Sequence, residues 1–179
     1  MPEKEKSMHK SCQVLTFKLE EEIYGVDIMS VREVLDYTSV TKVPQTPEYM
    51  VGVINLRGNV VPVIDLKQKF GMKKTAKTVN TCIIIVEVDI DEESTVLGAL
   101  ADSVQEVVEF DGASIEEAPK IGTQLKTAFI DGMAKKEDGF VILLNVNSVF
   151  STNELVNIAT TTEMLQAKTP AHDPVEASV

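Results

Sequence analysis

The feature that most constrains this chain of 179 residues is that it repeats itself. Tyr24 to Tyr37, YGVDIMSVREVLDY, aligns without a gap on Leu97 to Phe110, LGALADSVQEVVEF, and five of the fourteen positions are identical. Those five are Gly25/Gly98, Ser30/Ser103, Val31/Val104, Glu33/Glu106 and Val34/Val107. A second block follows in the same order. Gly52 to Phe70 aligns on Gly132 to Phe150, with Gly52/Gly132, Val61/Val141 and Phe70/Phe150 identical and the intervening apolar positions kept. Two ungapped matches in one order imply two copies of one unit, and such internal periodicity fixes architecture before any single element does. Each copy spans about 70 residues, a size at which a small β unit has only a marginal core. Packing the copies side by side would supply the missing burial.

Pattern gives the outline of each unit. Cys12 to Leu19 alternates in the manner of a strand, Glu20 to Glu22 reads as a turn, and Ile23 to Ile28 returns as the partner strand. Val31, Val34 and Leu35 fit one face of a short helical turn, with a strand as the close alternative. Pro44 and Pro47 mark a loop. Met50 to Leu56 and Val60 to Ile64 flank Arg57-Gly58-Asn59, a hairpin signal in which Gly58 can take positive φ. Pro62 lacks an N–H, so its strand is expected at an edge or with a bulge. Asp65 is placed to cap a short helix, Leu66 to Phe70, that ends at Gly71. The second unit reads alike, with Thr81 to Val88 and Thr95 to Ala101 around an acidic turn and Phe140 to Leu144 closing the later hairpin. Asn153 to Gln166 predicts a C-terminal amphipathic helix. The expected fold is mainly β: two pseudo-repeated, five-stranded barrels packed side by side, plus that helix. The expected organisation is a flexible N-terminus (1–11), a first barrel unit (12–78), a second (79–150), and a C-terminal helix with a disordered tail (151–179).

Composition narrows the function classes. Hydrophobic residues make up 44% of the chain but aromatics only 5%, so the core must be built from Val, Ile and Leu, which favour strands. A net charge of −11 is the opposite of a nucleic-acid footprint. The one basic cluster, Lys67, Lys69, Lys73, Lys74 and Lys77, reads as a solvated face and loop. Cys12 and Cys82 fall in strand-like runs and read as buried free thiols. His9 and His172 lie in the predicted tails, so no catalytic residue, metal ligand set or cofactor site is expected. Asp89, Asp91 and Glu93 begin like a calcium loop, but Ser94 stands where Gly is required and Leu100 where Glu is required. An acidic hairpin turn fits better. The N-terminus lacks a signal peptide's apolar stretch and no run is long enough for a membrane helix, which makes the cytosol the expected compartment.

Residues 24 to 70, above all GVINLRGNVVPVIDLKQKF, resemble the CheW family of chemotaxis coupling proteins. The resemblance takes in YGVDI at 24–28, VREV at 31–34, Pro44, Pro47 and NLRG at 55–58. It continues through LGALADSVQEVV at 97–108, Ala118-Pro119 and ILLNVNSVF at 142–150. About residues 12 to 160 are covered. Lys67 stands where many relatives have Arg. The resemblance implies two barrels about a shared apolar interface and a non-enzymatic adaptor. It implies partners too: the regulatory domain of the histidine kinase CheA, and the cytoplasmic hairpin tip of a chemoreceptor seated in an apolar groove between the barrels. Recruitment to receptor arrays at the inner face of the membrane follows, without membrane insertion.

The receptor-contact positions of the family fall on Val31, Glu33, Gly52 and Arg57. Val31 and Glu33 recur as Val104 and Glu106, so a role in the barrel is an equal reading. Gly52 recurs as Gly132, which favours a backbone requirement. Arg57 is matched by Glu137, so the repeat itself does not demand a cation there. Rival readings are a CheW-like module of a larger regulator, such as a receiver fusion or the kinase's regulatory domain, and a small-barrel oligonucleotide-binding protein. The first lacks any receiver-like or kinase-like segment after residue 150; the second lacks basic and aromatic surface residues.

Overall fold

The computed structural model describes residues 11–90, 92–117, 129–137 and 139–150. The predicted tails and the helix over 153–166 lie outside them. Among the described residues, eleven strands form two sheets. In chain order the strands are β1 (Ser11–Leu19), β2 (Glu22–Asp27), β3 (Val31–Asp36), β4 (Met50–Leu56), β5 (Asn59–Asp65), β6 (Cys82–Ile90), β7 (Glu93–Ala101), β8 (Ser103–Asp111), β9 (Ile115–Glu116), β10 (Ile130–Lys136) and β11 (Gly139–Leu144). A one-turn helix follows each later hairpin: α1 (Leu66–Lys69) and α2 (Val146–Val149).

The six-stranded sheet runs β8-β1-β2-β11-β10-β9 and the five-stranded sheet β3-β6-β7-β5-β4. Each sheet therefore mixes the two repeats. The first hairpin of each copy, β1–β2 or β6–β7, sits in the sheet of the other copy and joins it by a parallel pairing, β2 with β11 and β7 with β5. The repeat boundary at 78/79 divides the sequence into its copies but does not divide the sheets.

Burial follows from this exchange. Val14, Phe110, Ala134, Val141 and Leu143 fill the inside of the six-stranded sheet. Ile54, Val61, Val63, Ile83, Ile85 and Leu100 fill the other. A larger cluster lies between the sheets, where Leu15, Phe17 and Leu19 of β1 meet Ile84, Val86 and Val88 of β6. Strand β6 thus buries both faces, which is why it reads as an unbroken apolar run instead of alternating. This shared core supplies the burial that two marginal units lack.

Three local expectations change. Val31 to Asp36 is a strand, preceded by a short 3-10 turn at Ile28–Ser30. Pairing with β6 outweighs the helical spacing of Val31, Val34 and Leu35. Pro62 lies in an interior strand, between β4 and β7. It is tolerated because Val53, directly opposite, exchanges both its backbone bonds with Thr41 (2.9 and 2.8 Å), and the β7 pairing begins only at Val63. Lys67 is buried, unlike the solvated face expected of its cluster. The α1 cap behaves as expected: the Asp65 carboxylate accepts the Lys67 amide at 3.0 Å, and Gly71 ends the turn at φ 82°.

Candidate functional site

The hairpin β4–β5 turns through Arg57 (φ 51°) and Gly58 (φ 88°), two left-handed residues in succession as a tight turn of this hand requires. The Asn55 side chain accepts the Gly58 amide at 2.8 Å and locks the tip. This geometry aims Arg57 across the mouth of the barrel at Glu33 on β3. Nη1 and Nη2 donate to the two carboxylate oxygens at 2.5 and 3.0 Å, a bidentate fork. The hydrogen bond from Arg57 holds the Glu33 carboxyl below its ordinary pKa, with the guanidinium charge adding to the effect.

This pair spans a seam. Strands β3 and β4 are the two ends of the five-stranded sheet, and no ladder joins them among the described residues. The six-stranded sheet has the same seam between β8 and β9–β10, and there Lys136 donates to Glu106 at 2.6 Å. Glu106 is the repeat counterpart of Glu33, whereas Lys136 is the counterpart of Leu56, one residue before the tip. The second repeat therefore does place a cation opposite its glutamate. Aligning Arg57 with Glu137 hid this, because the alignment compares positions and the seam needs only a charge within reach.

The remaining expected contact residues are spread out. Val31 is half-buried and packs on the shared core, two positions before Glu33 and across a bulge. Gly52 is buried on β4, away from the Arg57 tip, at φ 154°. A Cβ there would run into the carbonyl oxygen of Thr41. Glycine is needed at that position for backbone approach. Beside the seam, Arg32 pairs with Glu87 at 2.9 Å, and the Ser94 hydroxyl also donates to Glu87. The Ser94 bond, followed by the Arg32 bond, lowers the Glu87 pKa.

No group of three or more His, Cys, Asp or Glu side chains suited to a metal ion occurs among the described residues. The acidic stretch at Asp89 and Glu93 belongs to the β6–β7 hairpin, while Asp91 lies outside the described residues. Cys12 and Cys82 are free but only half-buried, a correction to the fully buried thiols expected from their strands. Burial, then the nearby Asp27 and Glu109 carboxylates, pushes the Cys12 thiol up, away from a nucleophilic thiolate. No helix among the described residues is long and apolar enough to cross a membrane.

Two sheets share a common core, and a charged pair bridges the seam of each. Residues 13–154 match the CheW-like domain model. A chemotaxis protein CheW of Rhizobium meliloti is 33% identical over 142 residues, covering 79% of this chain and 89% of the relative. A CheW of Klebsiella aerogenes is 32% identical over 143 residues, covering 80% and 84%. The crystal structure of the scaffolding protein TtCheW from Thermoanaerobacter tengcongensis superposes with a TM-score of 0.71 at 41% identity, covering 81% of this chain and 91% of that one. The chain belongs to the CheW family, a family of non-catalytic adaptors.

Proposed function

We propose that the chain is a stoichiometric chemotaxis scaffold that couples transmembrane chemoreceptors to the histidine kinase CheA, in arrays at the cytoplasmic face of the membrane. The observation that carries this reading is the CheW-like match across 13–154 together with the doubled barrel that accompanies it. In this reading the receptor's helical hairpin lies against the region of Val31, Glu33 and Arg57, and Gly52 keeps the backbone beside it in shape. The Glu33–Arg57 fork supports the assignment physically, since it fixes two charged side chains at a barrel mouth without burying them. A coupler works by holding partners and turns nothing over, so its effect should saturate at a fixed ratio to kinase. Reconstitution with a receptor fragment in vesicles and CheA tests this. Kinase autophosphorylation should rise only when all three proteins are present and should plateau near equimolar adaptor. Full stimulation by adaptor far below the kinase concentration, or stimulation without receptor, would defeat the reading.

A further inference from the structure

The chain passes between the two sheets at only two places among the described residues, and the repeat makes those places counterparts. One is the turn Ile28–Ser30 between β2 and β3; the other is the single residue Asp102 between β7 and β8. Repeat register matches Met29 with Asp102, and likewise Lys67 on α1 with Asn147 on α2. The chemistry at the two crossings differs.

At Asp102 the crossing is pinned from several sides. Its amide donates to the Lys18 carbonyl at 3.1 Å, and one carboxylate oxygen accepts the Glu20 amide at 2.6 Å. Both carboxylate oxygens face the Lys67 ammonium at 3.2 and 3.3 Å, and the Glu20 carboxylate stands 3.9 Å from the same nitrogen. Lys67 comes from the five-stranded side; Lys18 and Glu20 belong to the β1–β2 hairpin of the six-stranded side. The side chain of Lys67 is only 9% exposed. Its backbone is held by the buried Asp65 cap, whose carboxylate also takes the Thr75 amide and hydroxyl at 2.9 and 2.7 Å. At the other crossing Met29 is 87% exposed, and among the described residues the Asn147 side chain accepts the Asp89 amide, at 3.1 Å, with no ion pair beside it.

We propose that Lys67, Asp102 and Glu20 form a one-sided latch that sets the angle between the two barrels, leaving the Met29 crossing as the side on which the molecule can open. A buried cation shared between two carboxylates resists separation more than a neutral hydrogen bond does, because parting the groups strands charge in a poorly solvated place. The shared apolar core holds the sheets together but is non-directional, so it does not by itself select one angle. The latch adds the directional term.

The test is a distance distribution between spin labels on Cys replacing the exposed Glu48, on the five-stranded side, and the exposed Glu109 on β8. Cys12→Ser and Cys82→Ser are present in every variant, the parent included. The parent should give one narrow distribution. Lys67→Met should at least double its width, Lys67→Arg should restore it, and Asn147→Ala should leave it unchanged. A folded Lys67→Met protein with a lower Tm and the parent's width would overturn the latch, since it would show a contribution to stability alone. Broadening by Asn147→Ala equal to that by Lys67→Met would overturn its one-sidedness. Should Lys67→Met fail to fold, Asp102→Asn reads the same quantity, and an unchanged width there is equally fatal.

Discussion

At the scale of a residue, Arg57 bridges a seam, and in the proposed reading it also meets the receptor. An exposed ion pair of this kind adds little to stability, even when bidentate, because water competes for both groups. Arg57→Glu should therefore leave the fold nearly intact while weakening binding of a receptor fragment, and adding Glu33→Arg should return part of it. Lys136→Glu supplies the control, since Lys136 makes the equivalent seam contact in the other barrel. Equal loss of receptor binding in Arg57→Glu and Lys136→Glu would mean that seam closure, and no direct contact, explains both. The fork also predicts a titration. Because the folded pKa of Glu33 lies below its ordinary value, about 4.3 in an unfolded chain, the pair contributes at neutral pH and is lost as pH falls through the depressed folded value. Carboxyl-detected NMR should find the Glu33 midpoint below that of an unpaired glutamate, and Arg57→Gln should raise it; a midpoint unmoved by that change would remove the fork from solution.

For the individual elements, legibility depended on whether the signal was local. The Arg57-Gly58 hairpin, the Asp65 cap and the acidic β6–β7 turn are set by residues adjacent in the chain, and each could be read from them. Strand β3 was harder, because its state is decided by a neighbour, β6, about 50 residues away. Lys67 was misread for a related reason: a run of lysines looks solvated, and only the fold brings Asp102 and Glu20 to one of them. Strand β6 offers the sharpest check on the packing. Ile83 and Ile84 are adjacent in sequence, so in a one-sided sheet one of them would face water. Here both are buried, at 0% and 1% exposure, against different clusters. Ile83→Ala and Ile84→Ala should each cost about 2–4 kcal/mol in chemical denaturation. A near-neutral result for either would show that its face of the strand is open.

Across the whole molecule, the repeat was visible and the exchange of hairpins between its copies was not. An alignment says that two segments are alike; it carries no information on which copy a strand pairs with, because both choices satisfy the same pattern. The exchange makes the separate halves incomplete. Residues 1–78 contain β3, β4 and β5 without the β6–β7 pair that lies between β3 and β5, and they contain β1–β2 without either of its sheet neighbours. Expressed alone, this piece should lack dispersed amide signals and a cooperative thermal transition. Mixed or coexpressed with residues 79–179, the two pieces should associate and recover both, since each supplies the other's missing strands. A sharply melting 1–78 fragment would contradict the pairing.

The same exchange sets a timetable for a chain made from its N-terminus. Leu15, Phe17 and Leu19 of β1 and Tyr24 and Val26 of β2 emerge early, yet the hairpin's sheet neighbours β8 and β11 begin only at Ser103 and Gly139. At about 5–20 residues per second, β11 follows the hairpin by roughly 6–22 s. Until β8 and then β11 arrive, apolar side chains and unpaired strand edges face the crowded surroundings of the ribosome. The first surface this protein offers to the cell is therefore one that the finished molecule hides.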